Sequence, residues 1–201
     1  MTRSLLIWTG AATALVVPLI IAATSPQLAW RGPVYIAAGF AGVIALGLLL
    51  MQPLLAGGYL AGPSPRDARR WHGLVGAALA FLVIFHVAAL WWTSPPDVID
   101  ALLFRSPTPF SDWGVVAMWA VFATALLALL RRRLRVRPRI WQLFHLSFAS
   151  VIVIGSVVHA MLIEGTMGTI SKTLLCIVVV LATLKVIVDR KPLSILKRKK
   201  A

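Results

Sequence analysis

Cysteine is almost absent from this chain. Cys176 is the only one in 201 residues, which excludes an internal disulfide and an iron–sulfur cluster ligated by cysteines of the chain alone. Acidic side chains are scarce as well, six Asp and Glu against 20 Lys and Arg. None of the six falls within the apolar stretches Trp71–Trp92 or Ile140–Ile163, so a relay of intramembrane carboxylates has no members there. No G-x-G-x-x-G follows a strand-like run and no Walker-type loop occurs, which leaves no place for a soluble nucleotide-binding domain. Histidine is the last scarcity: there are four, and all lie inside those two apolar stretches.

What is abundant is apolar sequence. Hydrophobic residues make up 60% of the chain and the mean hydropathy is +0.90, more than a soluble domain of this size can bury. The apolar residues come in long runs with the charges between them, the pattern of membrane-spanning helices. Six spans are expected: Leu5–Thr24, Val34–Ala56, Trp71–Trp92, Trp113–Leu130, Ile140–Ile163 and Thr169–Val188. The first is read as a retained helix rather than a cleaved signal peptide, because it is long enough to span; Pro18 is expected to bend it. Pro33 suits a first helical turn. Gly39, Gly42 and Gly47 let another helix or a flat cofactor approach the second span. The longest loop, Thr93–Asp112, contains a short apolar piece, Val98–Phe104, suited to lie along the interface. The fold class is thus all-α: a polytopic six-helix bundle over residues 1–190, followed by a basic cytoplasmic tail, 191–201.

Charge sets the orientation. Of the 20 Lys and Arg, 17 fall on the side of the N-terminus, the second and fourth loops and the tail, and 3 on the other side. By the positive-inside rule both termini are cytoplasmic. The same bias accounts for the net charge of +14 without nucleic acid as a partner. The expected location is a bacterial inner membrane, with the lipid bilayer as the first partner.

The histidines carry the chemistry. His72 and His86 are 14 residues apart, and so are His145 and His159. On an α-helix that interval leaves two side chains about 40° apart in azimuth and roughly 21 Å apart along the axis. Two such helices side by side set His72 opposite His145 and His86 opposite His159. Paired imidazoles at two depths are what two b-type haems require. A tetrahedral zinc site lacks ligands at either level. Gly73 and Gly76 beside His72, and Gly155 and Ser156 before His159, leave room for a macrocycle, and Phe85, Phe144, Leu146 and Phe148 can pack against one. Arg66, Arg69 and Arg70 stand just outside His72, placed to pair with propionates or with lipid headgroups. Trp91, Trp92, Trp113 and Trp141 sit at span ends as an aromatic belt.

The stretches R-R-W-H-G-x-x-G…F-H-V-A-A-L (Arg69–Leu90) and Q-L-F-H-L…V-V-H-A-M-L (Gln142–Leu162) resemble the ferric reductase-like transmembrane domain. That superfamily includes ferric reductases, the membrane core of NADPH oxidases and the haem-binding membrane subunit of the bacterial protein-methionine-sulfoxide reductase system. The resemblance implies iron ligation by His72 and His145 at an inner haem and by His86 and His159 at an outer one. It implies transmembrane electron transfer as the role. Ferric reductases and NADPH oxidases carry a flavin and nicotinamide domain after the last span. Here 13 basic-rich residues follow, Asp189–Ala201, so the expected donor is a separate flavoprotein or quinol. The expected acceptor is a protein or a metal on the outer side, and the stand-alone sulfoxide reductase subunit is the nearest analogue in size. The arginine run, Arg131–Arg139, offers a docking face for an acidic donor. A haem-free scaffold or small transporter is the competing class; no inverted repeat with broken helices supports it.

Overall fold

The computed structural model describes residues 2–131 and 133–190, and no strand occurs among the described residues. Arg132 of the arginine run and the expected basic tail, 191–201, lie outside the described residues. The helices are α1 (Thr2–Ala23), α2 (Pro33–Gly57), α3 (Pro65–Thr93), α4 (Pro95–Leu102), α5 (Pro109–Leu130), α6 (Pro138–Leu162) and α7 (Thr169–Arg190). All but α4 are long and apolar enough to cross a bilayer, with spans of 20 to 29 residues. The all-α, six-span architecture is the one composition predicts.

Five of the helices open on proline: Pro33, Pro65, Pro95, Pro109 and Pro138. At a first helical position the missing N–H costs nothing and the fixed φ suits the turn. These starts precede the onset of hydropathy, so α3 begins at Pro65 rather than Trp71. Ser64 caps it, accepting from the Asp67 N–H at 3.2 Å and donating to the Asp67 carboxylate at 2.6 Å, which satisfies a first-turn donor. Arg66, Arg69 and Arg70 therefore belong to the helix, not to the loop before it. The short apolar piece of the longest loop is likewise helical: α4 buries Val98 and leaves Ile99 exposed.

The spans form a ring. α2 packs on α3, α3 on α5, α5 on α6, α6 on α7 and α7 on α2, while α1 lies outside against α2 and α7. α2 and α3 make one tight hairpin and α5 and α6 another. The histidine-bearing helices α3 and α6 face each other across the ring instead of packing directly together. One end of the bundle gathers Ser4, Tyr59 and Lys185 around a cavity of about 560 Å³. We call this end, which also carries loops 58–64 and 131–137, the tail face, and the opposite end the far face. Large apolar side chains cover the outside, Phe81, Leu129 and Ile170 among them, as lipid contact requires.

The core runs through the middle of the ring. Leu50 and Val179 are its most enclosed large side chains. Leu79 and Ile152 are buried in the same cluster. Each sits midway between the two histidines of its own helix, so an apolar layer separates the two histidine levels.

At the far face α6 ends against α7. The Lys172 side chain is buried, and its ammonium donates to the Ile163 carbonyl at 2.6 Å and the Met161 carbonyl at 3.3 Å. The last carbonyls of a helix have no partner within it, and a cation there also meets the negative end of the helix dipole. Lys172→Met keeps the apolar stem and removes these bonds. It is expected to cost about 1.5–3 kcal/mol, the range for hydrogen bonds to a charged group, read as a lower unfolding midpoint in detergent. An unchanged midpoint would mean that the bonds only offset the burial of the charge.

Candidate functional site

His72 and His145 lie at the level nearer the tail face, and their ring centres are 6.0 Å apart with the planes inclined at 70°. A metal–imidazole bond is about 2 Å, and a ring centre lies about 1 Å behind its nitrogen, so imidazoles trans across one metal have centres about 6 Å apart. The observed separation meets that requirement. His86 and His159 lie at the far-face level, within electrostatic range of each other. The structure therefore brings His72 and His145 together and sets His86 and His159 at one level, in line with the matching by depth that the 14-residue spacing gives.

Three of the four rings are held by a backbone carbonyl of the hairpin partner helix. His86 Nδ1 donates to Ala38 O at 2.7 Å and His159 Nδ1 to Phe110 O at 2.7 Å. His72 Nδ1 lies 3.3 Å from Gln52 O. A carbonyl only accepts, so each contact places the proton on Nδ1 and leaves the Nε2 lone pair available. That is the tautomer a metal-ligating histidine uses, with its second nitrogen anchored behind it.

Glycine makes the two close approaches possible. Ala38 and Gly42 are one turn apart on α2, and Phe110 and Gly114 are one turn apart on α5. A Cβ at Gly42 would stand 3.3 Å from His86 Nδ1 and Cε1, and one at Gly114 would stand 2.7 Å from His159 Nδ1 and 2.8 Å from its Cε1. In each hairpin the first helix gives a carbonyl and a glycine, and the second gives the histidine. The sequence separations from carbonyl to ring, 48 and 49 residues, nearly coincide.

The surroundings of the other expected site residues are mixed. Gly155 seats α6 on α5, where a Cβ would meet Ala117 Cβ and Trp113 O at 3.0 Å. Gly73 faces no atom within 4 Å, and Gly76 faces Gln52. Phe144 and Phe148 stack on each other with centres 6.2 Å apart. Trp141, a belt residue by position, has its ring on His145, centres 5.1 Å apart and planes at 21°. Arg69 and Arg70 are exposed in the opening turns of α3 and form no ion pair among the described residues. Gly114 and Gln52 carry no signal by themselves; only the parallel between the two hairpins points to the former.

Two features bear on what the pairs hold. Among the described residues no three His, Cys, Asp or Glu gather as a metal cluster, so each level offers two nitrogens. That suits an iron whose other four ligands come with it, and falls short of a tetrahedral zinc site. Among the described residues three buried polar atoms also lack a protein partner: Gln52 Nε2 and His145 Nδ1 near the tail-face pair, and Asp112 Oδ1 in the first turn of α5. Such atoms are costly in a finished interior, and the two beside the tail-face pair fit a polar-edged group bound there.

No curated protein and no solved structure matches the chain. A family model does, that of the ferric reductase like transmembrane component, over residues 38–156. The match covers more than half of the chain, takes in most of both helical hairpins, includes His72, His86 and His145 and stops short of His159. With six membrane-crossing helices and this match over its histidine-bearing core, the chain is a multi-pass membrane protein and belongs to the ferric reductase like transmembrane component family.

Proposed function

We propose that the protein is a haem b-containing electron-transfer component of a cytoplasmic membrane. The observation that carries this reading is the tail-face pair, two imidazoles 6.0 Å apart across the ring. His72 and His145 would hold one haem b and His86 and His159 a second. Family membership supports the reading, because domains of this family are generally haem-binding redox domains. Haem held by these histidines would supply a one-electron carrier at each depth.

The chain's own residues do the rest. Ala38 O, Phe110 O and Gln52 O orient three rings so that Nε2 faces inward. Gln52 Nε2 offers a buried donor at the tail-face level. Arg69, about one turn before His72, and Arg70, two residues before it, would pair with the propionates of a haem held there. Leu79 and Ile152 keep water from joining the levels. In this proposal the tail face is cytoplasmic, by the positive-inside bias. Electrons come from a cytosolic flavoprotein or quinol and leave at the far face to a protein or metal acceptor. Asp97, Asp100 and Glu164 are exposed there, which favours a cationic acceptor or a basic partner surface. A two-component protein-methionine-sulfoxide reductase is one assembly of this kind.

The test is a reduced-minus-oxidised optical spectrum of the purified chain, with haem b quantified per polypeptide. Two low-spin haems per chain are expected. Absence of haem from material made with ample haem supply would overturn the proposal and return the chain to the scaffold or transporter class.

A further inference from the structure

His145 differs from the other three histidines. Its Nδ1 is buried and bonds to no atom among the described residues, whereas His72, His86 and His159 each face a carbonyl from the partner helix. What His145 has is a stack. Trp141 precedes it by four residues on α6, the spacing that sets two side chains on one helix face. The indole lies nearly parallel to the imidazole, centres 5.1 Å apart. The Arg131 guanidinium covers the indole, 5.0 Å from its centre. Arg131 closes the end of α5, and the chain returns to α6 through a turn in which Arg135 has φ 48° and the Val136 N–H bonds to Arg131 O at 3.0 Å. This turn folds the arginine back over the indole.

The other hairpin has no counterpart. Four residues before His72 stands Ala68, buried and without a ring to stack. So one hairpin fixes its tail-face histidine by a carbonyl and the other by an aromatic stack under a cation. An offset stack and a cation–π contact are each comparable in strength with a neutral hydrogen bond. A stack limits the tilt of the imidazole, but it does not draw on the Nδ1 proton as a carbonyl does.

We infer that Arg131 and Trp141 are the positioning residues of the His145 ring, taking the place of the missing carbonyl and linking the arginine loop to the tail-face pair. This rests on the haem reading of that pair. The consequence is directional: changes in the 131–139 loop reach the tail-face level and leave the far-face level alone.

The experiment compares Trp141→Ala, Trp141→Phe, Arg131→Gln and the unaltered chain. Haem content, the low-field electron paramagnetic resonance features of the low-spin ferric haems, and the two midpoint potentials are recorded for each. Trp141→Ala is expected to shift one low-spin feature and one potential, or to lose that haem, with the other haem unchanged. Trp141→Phe should restore the original signature, and Arg131→Gln should shift the same feature in the same direction by a smaller amount. The unshifted haem reports that the bundle is folded. Two unaltered signatures in Trp141→Ala would overturn the inference while leaving the haem reading intact. An unaltered chain that binds no haem would overturn the haem reading itself.

Discussion

Replacing His159 with alanine is expected to take the protein from two haems per chain to one. The lost haem is the far-face one, because His159 shares its level only with His86, while His72 and His145 form a separate pair 6.0 Å apart. An iron left with one axial histidine loses the low-spin state. The far-face level has no third His, Cys, Asp or Glu gathered with the pair among the described residues, so nothing takes the vacated place. His86→Ala should give the same product, and the double variant should be no worse than either single one, as expected for residues acting as a unit. Haem quantification and electron paramagnetic resonance decide the matter. Two intact low-spin haems in His159→Ala would reject the assignment of the pair. The retained tail-face haem serves as the folding control, since the Leu79–Ile152 layer keeps the two levels structurally distinct.

Gly114→Ala is expected to weaken the same haem without touching a ligand. The added methyl would sit 2.7 Å from His159 Nδ1 and 2.8 Å from Cε1, closer than non-bonded carbon and nitrogen tolerate. The ring must leave Phe110 O, or α6 must retreat from α5. Retreat would open the close seat of Gly155 on Ala117 and the Trp113 carbonyl. Losing the partner behind a metal-bound histidine costs roughly 10–100-fold in affinity, and that is the expected fall in far-face haem affinity. Gly42→Ala, at 3.3 Å from His86, should show a smaller effect in the same direction. Gly39→Ala, with no atom within 4 Å, should show none. Haem titration of the three variants yields the order, and a Gly114→Ala chain with unaltered affinity would show that this glycine does not seat the ring.

Much of this arrangement is legible in the amino-acid sequence alone. Six spans follow from the apolar runs, and the pairing of His72 with His145 and His86 with His159 follows from a shared 14-residue interval. Helix starts are less legible, because hydropathy marks where a helix enters lipid, whereas Ser64, Pro65 and Asp67 begin α3 in a polar turn. The anchoring of the rings is not legible at all. Its acceptors are main-chain carbonyls of Ala38, Phe110 and Gln52, and any residue type carries a carbonyl. Gly114 is an ordinary small residue until Phe110 O and His159 are known to meet beside it. Trp141 has two valid descriptions, one by depth in the membrane and one by its four-residue distance from His145, and only the folded arrangement gives the second precedence.

The buried layer of Leu79 and Ile152 has an electrical meaning. An apolar stratum offers no chain of hydrogen-bonded groups along which a proton can hop, yet electrons tunnel through hydrocarbon. Under the proposed function, with the tail face inside the cell, each electron delivered to the far face would move a negative charge outward with no proton accompanying it. Across an inside-negative membrane that displacement is downhill by about 2.3 kcal/mol for every 100 mV. In that arrangement the resting voltage of the cell would add to the driving force of the redox couple, and a steadily working protein would draw that voltage down.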